Sequence, residues 1–308
     1  MPNGIAKMNR GYVAPFIKTL MVLATVCLAA ACSPLTLVNA IGQDDGISQV
    51  ESHAYGESPR QQCDVYFPKQ PNGKLVFFIY GGSWMSGDKA EYRFVARNLT
   101  RKGYVVVIAD YRLYPEVRFP TFVEDAAQAL AWTQGQLPNW SMQPKSVFVV
   151  GHSAGAHIAS LLALDARYLA PYGMKPMQLS GVVGLSTPAD FAATLGAQYR
   201  PIFTDESGLQ AAQPIRYVSS KTPPMLLIHG LDDGLVYASN TQSLASALHS
   251  AGAPVQVEFY ADVGHVGTVT PFIEWLGNQQ VLNRMLAFMS DPVSNKAVGW
   301  LDKVGDHP

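Results

Sequence analysis

From residue 50 onward the chain alternates short, nearly unbroken apolar runs with longer mixed segments, a rhythm that predicts an α/β protein. The runs at 75–80, 105–110, 147–150, 181–185, 225–229 and 255–260 read as strands. Nearly continuous in Val, Ile, Leu and Phe, they suit a mostly parallel central sheet covered on both faces. The mixed segments 92–101, 122–135, 154–164, 238–251 and 279–289 supply flanking helices, with Gly103 and Gly252 marking two of their ends. Two earlier runs, 49–55 and 62–67, are expected to pair antiparallel at one sheet edge. Segment 188–220 breaks the rhythm with Pro188, Pro201 and Pro214 and scattered aromatics. It reads as a small cap, a passive surface excursion being the alternative.

The amino-terminal stretch follows a different pattern. Lys7, Arg10 and Lys18 precede the uncharged run 19–31, and no acidic residue occurs before position 32. A basic segment followed by so short an apolar one predicts a cleaved export signal over 1–31, not a spanning helix. Two cleavage points compete: Leu28-Ala-Ala-Ala-Cys32 resembles a bacterial lipoprotein box, and Val38-Asn-Ala40 suits an ordinary signal peptidase. Lipidation of Cys32 would tether the mature chain to a membrane, in the periplasm or at the outer membrane. Residues 32–48 then read as a linker, and 49–308 as one domain carrying the cap-like insertion.

Of the 308 residues, 48% are hydrophobic and 15% charged, which supports a sizeable core. Without the signal, three of the 22 basic residues are lost against 23 acidic ones, leaving a net charge of about −4. Nucleic acid is an unsuitable partner for such a surface. Three cysteines, at 27, 32 and 63, cannot build a disulfide framework, and Cys63 reads as a buried apolar residue. The seven histidines show no ligand spacing with Cys or Glu, so no metal site is expected.

In an open parallel sheet, ligands bind beyond the carboxyl ends of the strands. Three such ends carry suggestive groups. After the strand at 147–150 comes Gly151-His-Ser-Ala-Gly155, a G-x-S-x-G pattern leading into a helix. Its glycines allow a sharp turn that would lift the Ser153 hydroxyl and set the Ala154 N–H at a helix amino terminus. A serine nucleophile needs a base, and the base an acid, in the chain order Ser, Asp, His on this kind of sheet; serine-based hydrolysis requires no cofactor. Gly230-Leu-Asp-Asp-Gly234 and Ala261-Asp-Val-Gly-His265 supply Asp232 or Asp233 and then His265, each just past a strand. The alternatives are a carboxylate that merely holds a turn and a structural histidine. Upstream, Gly81-Gly-Ser-Trp84 follows the strand at 75–80: N–H groups of Gly82 and Ser83 could join Ala154 in an oxyanion hole, with Gly81 serving the turn. Trp84 either lines the pocket or simply packs.

These motifs, together with Asp110-Tyr-Arg-Leu-Tyr-Pro115, resemble the α/β-hydrolase superfamily, in particular its hormone-sensitive-lipase-like and feruloyl-esterase-like carboxylesterases, over roughly residues 60–290. Isoprenylcysteine methylesterases and kynurenine formamidases are similar in the same motifs. The resemblance implies the α/β-hydrolase fold, a small-molecule ester substrate, a Ser153–Asp233–His265 triad with Asp233 selected over Asp232, and a bracing role for Asp110 or Arg112. Tyr80 stands where the commoner pattern has histidine. A formamide hydrolase and a non-catalytic surface protein are the competing functions.

Overall fold

The computed structural model describes residues 34–140 and 146–293; the expected export signal over 1–31 and Cys32 lie outside them. The chain divides after Gly42 into two units. In the first, the described residues form helix α1 (Pro34–Ile41), where only a linker was expected. The second starts at Gln43, earlier than the expected 49. Asp44 accepts hydrogen bonds from Arg93 and Arg97, and Asp45 from Arg101, all on helix α2 (Arg93–Arg101). These ion pairs span about fifty residues of sequence and leave no periodic trace in it.

The larger unit is built on one eight-stranded sheet: β1 (Ile47–Ala54), β2 (Gln62–Pro68), β3 (Lys74–Ile79), β4 (Val105–Ala109), β5 (Ser146–His152), β6 (Gly181–Leu185), β7 (Met225–Gly230) and β8 (Val255–Tyr260). Their spatial order is β1-β2-β4-β3-β5-β6-β7-β8. The hairpin β1–β2 joins β4 antiparallel, and every other pairing is parallel. The expected strands and the edge hairpin are present. Every residue of β4, β6 and β7 is buried, as continuous apolar runs require of a sheet covered on both sides. Helices α3 (Thr121–Gln136), α4 (Ala154–Leu164), α6 (Ser239–Ser250) and α7 (Gln279–Ser290) provide further covering. Among the described residues, no helix is long and apolar enough to cross a membrane.

Because β3 pairs with β4 on one side and β5 on the other, the strand order reverses between β3 and β5. Such a switch point opens a crevice at the carboxyl ends of the strands. It sets the loop after β3 against the turn after β5. The insertion is folded, with short helical turns at Ala197–Phe203 and Pro214–Tyr217 around α5 (Glu206–Ala211).

The segment after β4 braces this end of the sheet. Asp110 accepts from the Tyr80 hydroxyl at 2.6 Å and the Lys89 N–H at 2.8 Å. Arg112 makes a fork on buried Asp125 of α3, at 2.9 Å from Nε and 2.7 Å from Nη2. Gln61 donates to the same carboxylate. Asp125→Ala should therefore strand a partly buried guanidinium and lower unfolding free energy by about 3 kcal/mol. A urea denaturation midpoint unchanged from wild type would contradict this.

Candidate active site

The turn from β5 into α4 is possible only because two glycines approach backbone. A Cβ on Gly155 would lie 2.0 Å from the Ile79 carbonyl oxygen of β3, and one on Gly151 would lie 2.3 Å from the Gly155 carbonyl oxygen. With those approaches open, Ser153 occupies φ 55°, ψ −123°, a conformation costing a non-glycine residue roughly 1–3 kcal/mol. Its backbone holds it there: the Ser153 N–H donates to Leu185 O at 2.9 Å, and its carbonyl accepts from the His157 N–H at 3.0 Å.

From Ser153 a chain of hydrogen bonds runs across the carboxyl ends of β5, β7 and β8. Ser153 Oγ is 2.8 Å from His265 Nε2, and His265 Nδ1 is 2.8 Å from Asp233 Oδ2. An ionised carboxylate only accepts, so His265 carries its proton on Nδ1 and leaves Nε2 free to accept from the serine hydroxyl. Asp233 Oδ1 takes the backbone N–H groups of Leu235 and Val236 at 3.0 and 2.8 Å. His229, fully buried on β7, donates from Nε2 to Val236 O at 2.8 Å and lies 3.3 Å from Asp233 Oδ2, while its Nδ1 accepts from Thr241. Burial pushes the Asp233 carboxyl up, but the hydrogen bonds from His229, His265 and Val236 together hold it well below the usual carboxylate range. Asp232, by contrast, is exposed.

The two histidines flanking Ser153 in sequence are both buried. His152 bonds the His265 carbonyl through Nε2 at 3.2 Å, with the rings 5.0 Å apart; burial, then the neighbouring His265, push its pKa down to about 3. His157 is pushed down to about 4 by burial.

Ser83, Trp84, Ser153 and Ala154 border a cavity of about 80 Å³. The upstream loop departs from expectation in its division of labour. Gly82, at φ 131°, makes the turn, its carbonyl accepting from the Met85 and Ser86 N–H groups. Gly81, expected to serve that turn, stands against the serine: a Cβ there would lie 3.0 Å from Ser153 Cβ. Gly82 is not among the residues bordering the cavity, whereas Ser83 is. Tyr80 anchors the loop's base, buried between the rings of Tyr92 and Tyr111. Trp84 both lines the cavity and packs, with only 5% of its surface exposed.

The insertion closes one side of the cavity through Pro188, Phe191, Leu195 and Tyr199. Leu235, Val236, Tyr237 and Asn240 close another. Asn240 Oδ1 accepts from the Ala189 and Asp190 N–H groups, and Gln213 Oε1 from those of Phe191 and Ala192, so two buried amides pin the insertion in place. Among the described residues, no group of three His, Cys, Asp or Glu side chains could hold a metal ion.

With this geometry the relationships of the chain are specific. The profile of the BD-FAE family matches residues 63–248. The chain belongs to the BD-FAE family. It is 26% identical over 272 residues to isoprenylcysteine alpha-carbonyl methylesterase of Arabidopsis thaliana, covering 79% of this chain and 62% of that one. Esterase LipC of Mycobacterium tuberculosis is 30% identical over 220 residues, covering 64% and 54%. The BD-FAE chain spans between 50% and 62% of the length of the first such relatives it matches. Among solved structures, esterase B from Lactobacillus rhamnosis superposes with a TM-score of 0.71 at 22% identity, over 88% of this chain and 93% of that one. A truncated carbohydrate esterase from gut microbiota gives 0.67 at 19%, over 81% and 98%. The shared fold is the α/β-hydrolase fold.

From sequence, His229 serves only as the start of the motif that selects Asp233, and neither it nor Gln213 and Asn240 is given a role of its own. His229 stands one residue before the end of β7 and four before Asp233; the two amides carry no motif. The histidine environments have a consequence for stability. An unfolded chain protonates His152 and His157 near pH 6.5, whereas the folded chain keeps both neutral until about 3 and about 4. Stability should thus fall as pH drops through 6.5, by about 1.4 kcal/mol per histidine per pH unit. Urea midpoints at pH 7 and pH 5 check it, and equal midpoints would exclude two buried neutral imidazoles.

Proposed function

We propose that the protein is a serine hydrolase of carboxylic esters, a reading carried by the continuous hydrogen-bonded line Ser153–His265–Asp233 opening on an uncharged cavity. Ser153 Oγ attacks the ester carbonyl while His265 Nε2 takes its proton. Asp233 fixes the ring and stabilises the imidazolium that forms. The tetrahedral oxyanion is met by the Ala154 N–H at the amino terminus of α4 and by N–H groups of the Gly82–Ser83 turn, Ser83 being the one at the cavity wall. His265 then returns the proton to the departing alkoxide, releasing the alcohol and leaving an acyl-serine. Water, deprotonated by the same imidazole, cleaves that ester and frees the acid and Ser153.

The walls favour a neutral substrate with an apolar group of modest size. Trp84, Phe191, Leu195, Tyr199, Leu235 and Tyr237 present ring and alkyl surface, and none of the residues lining the cavity is charged. A substrate carboxylate would find no counterion there. The names of the relatives, methylesterase and esterase, agree with this chemistry. For location we propose export with lipidation at Cys32, which labelled palmitate incorporated by the wild type and lost in Cys32→Ala would support.

Ser153→Ala should lower kcat on p-nitrophenyl acetate by up to about 10^6-fold, and Asp233→Asn by about 10^4-fold. Asp232→Asn should stay near wild type. Turnover retained by Ser153→Ala, or a defect confined to Asp232→Asn, would overturn the assignment.

A further inference from the structure

The helix that follows Ser153, α4, carries His157 in its first turn, fully buried. Its two ring nitrogens face two different parts of the molecule. Nδ1 accepts from the indole N–H of Trp84 at 3.2 Å, and Nε2 donates to the Ala212 carbonyl of the insertion at 2.7 Å. The two bonds require one neutral tautomer, protonated on Nε2. Around it, Trp84, Phe191 and Phe203 stand edge to face with the imidazole, centroids 5.1, 5.5 and 6.3 Å away.

What the Trp84 bond restrains is a run of unfavourable backbone. Gly82, Ser83 and Trp84 have φ of 131°, 53° and 60°, and the latter two are positions where a side chain is disfavoured by about 1–2 kcal/mol. The Trp84 carbonyl accepts from the Tyr114 N–H at 2.9 Å, and the indole N–H donates to His157. Ser83, the residue at the cavity wall, lies inside this run. At the other nitrogen, Ala212 immediately precedes Gln213, the amide that holds the backbone of Phe191 and Ala192.

We infer that His157 is a positioning residue that sets both the oxyanion-side turn and the insertion wall relative to Ser153. The inference rests on the ester-hydrolase reading. It assigns a separate consequence to each nitrogen: the Nδ1 bond places the Ser83 N–H and acts on kcat, and the Nε2 bond places the Phe191–Tyr199 wall and acts on KM for esters that reach it.

Two amide substitutions separate the arms. In His157→Asn the amide oxygen takes the place of Nδ1, keeping the acceptor for Trp84 and losing the bond to Ala212. In His157→Gln the amide nitrogen takes the place of Nε2, with the reverse outcome. Trp84→Phe keeps an aromatic ring and deletes the indole donor. Activity is measured on p-nitrophenyl acetate and p-nitrophenyl hexanoate, with thermal melts confirming a folded chain. The Trp84 indole N–H resonance, assigned by its loss in Trp84→Phe, reports the bond without reference to activity. Expected are a kcat loss on the order of 10- to 100-fold in His157→Gln and Trp84→Phe with acetate KM held within about 3-fold. For His157→Asn, kcat on acetate should be kept and KM on hexanoate raised about 5-fold or more. The indole resonance should stay downfield and exchange-protected in wild type and His157→Asn only. Normal wild-type turnover with kcat unchanged in both His157→Gln and Trp84→Phe, or an unprotected wild-type indole, overturns the positioning role alone. Absence of ester turnover in the wild type overturns the hydrolase reading instead, whatever the indole shows.

Discussion

The site depends on how closely the backbone of α4 lies against β3. Only a glycine at 155 lets the helix seat over the Ile79 carbonyl, and only a glycine at 151 lets the preceding strand turn under it. Ser153 is caught between those two contacts, in a left-handed conformation that its own bonds to Leu185 and His157 over-determine. A side chain at either glycine would move the helix by ångströms, and with it the serine, the Ala154 N–H and the His157 ring. The strain is local, and the helix and central strands that hold it are buried.

Around that turn, several buried polar groups restrain one another. Asp233 is held ionised in a buried place because two backbone N–H groups and the His265 imidazole donate to it, with His229 Nε2 3.3 Å away. Its charge fixes the tautomer of His265, and the tautomer leaves Nε2 facing Ser153. His152 reaches the His265 backbone from the nucleophile turn itself, so the two halves of the site are tied on either side of the reacting pair. The same logic extends to the insertion, where Gln213, Asn240 and His157 spend their hydrogen bonds on loop backbone. The insertion, built of short helical turns, is held by side-chain amides in place of a ladder.

Membership of the BD-FAE family and the α/β-hydrolase fold fit this picture without naming a substrate. The cavity wall does more in that respect. It combines fixed rings from the Trp84 turn with residues of the insertion and of the Leu235–Tyr237 loop, segments whose shape varies independently of the sheet beneath them.

The chain by itself determined the strand and helix rhythm, the edge hairpin, the serine turn and the order in which Asp233 and His265 follow it. Those features rest on local periodicity and on glycines whose spacing has one steric use. Tertiary structure decided the rest, because the deciding contacts are long in sequence and carry no period. Asp44 and Asp45 reach across to α2, drawing the boundary of the larger unit back to Gln43. Exposure separates Asp232 from Asp233, and the strand reversal sets Gly81, not Gly82, against Ser153. The insertion, featureless as a pattern, becomes a wall of the cavity only when buried amides from distant positions fix its backbone. An amide side chain can hold any loop within reach, and only the folded chain decides which one that is.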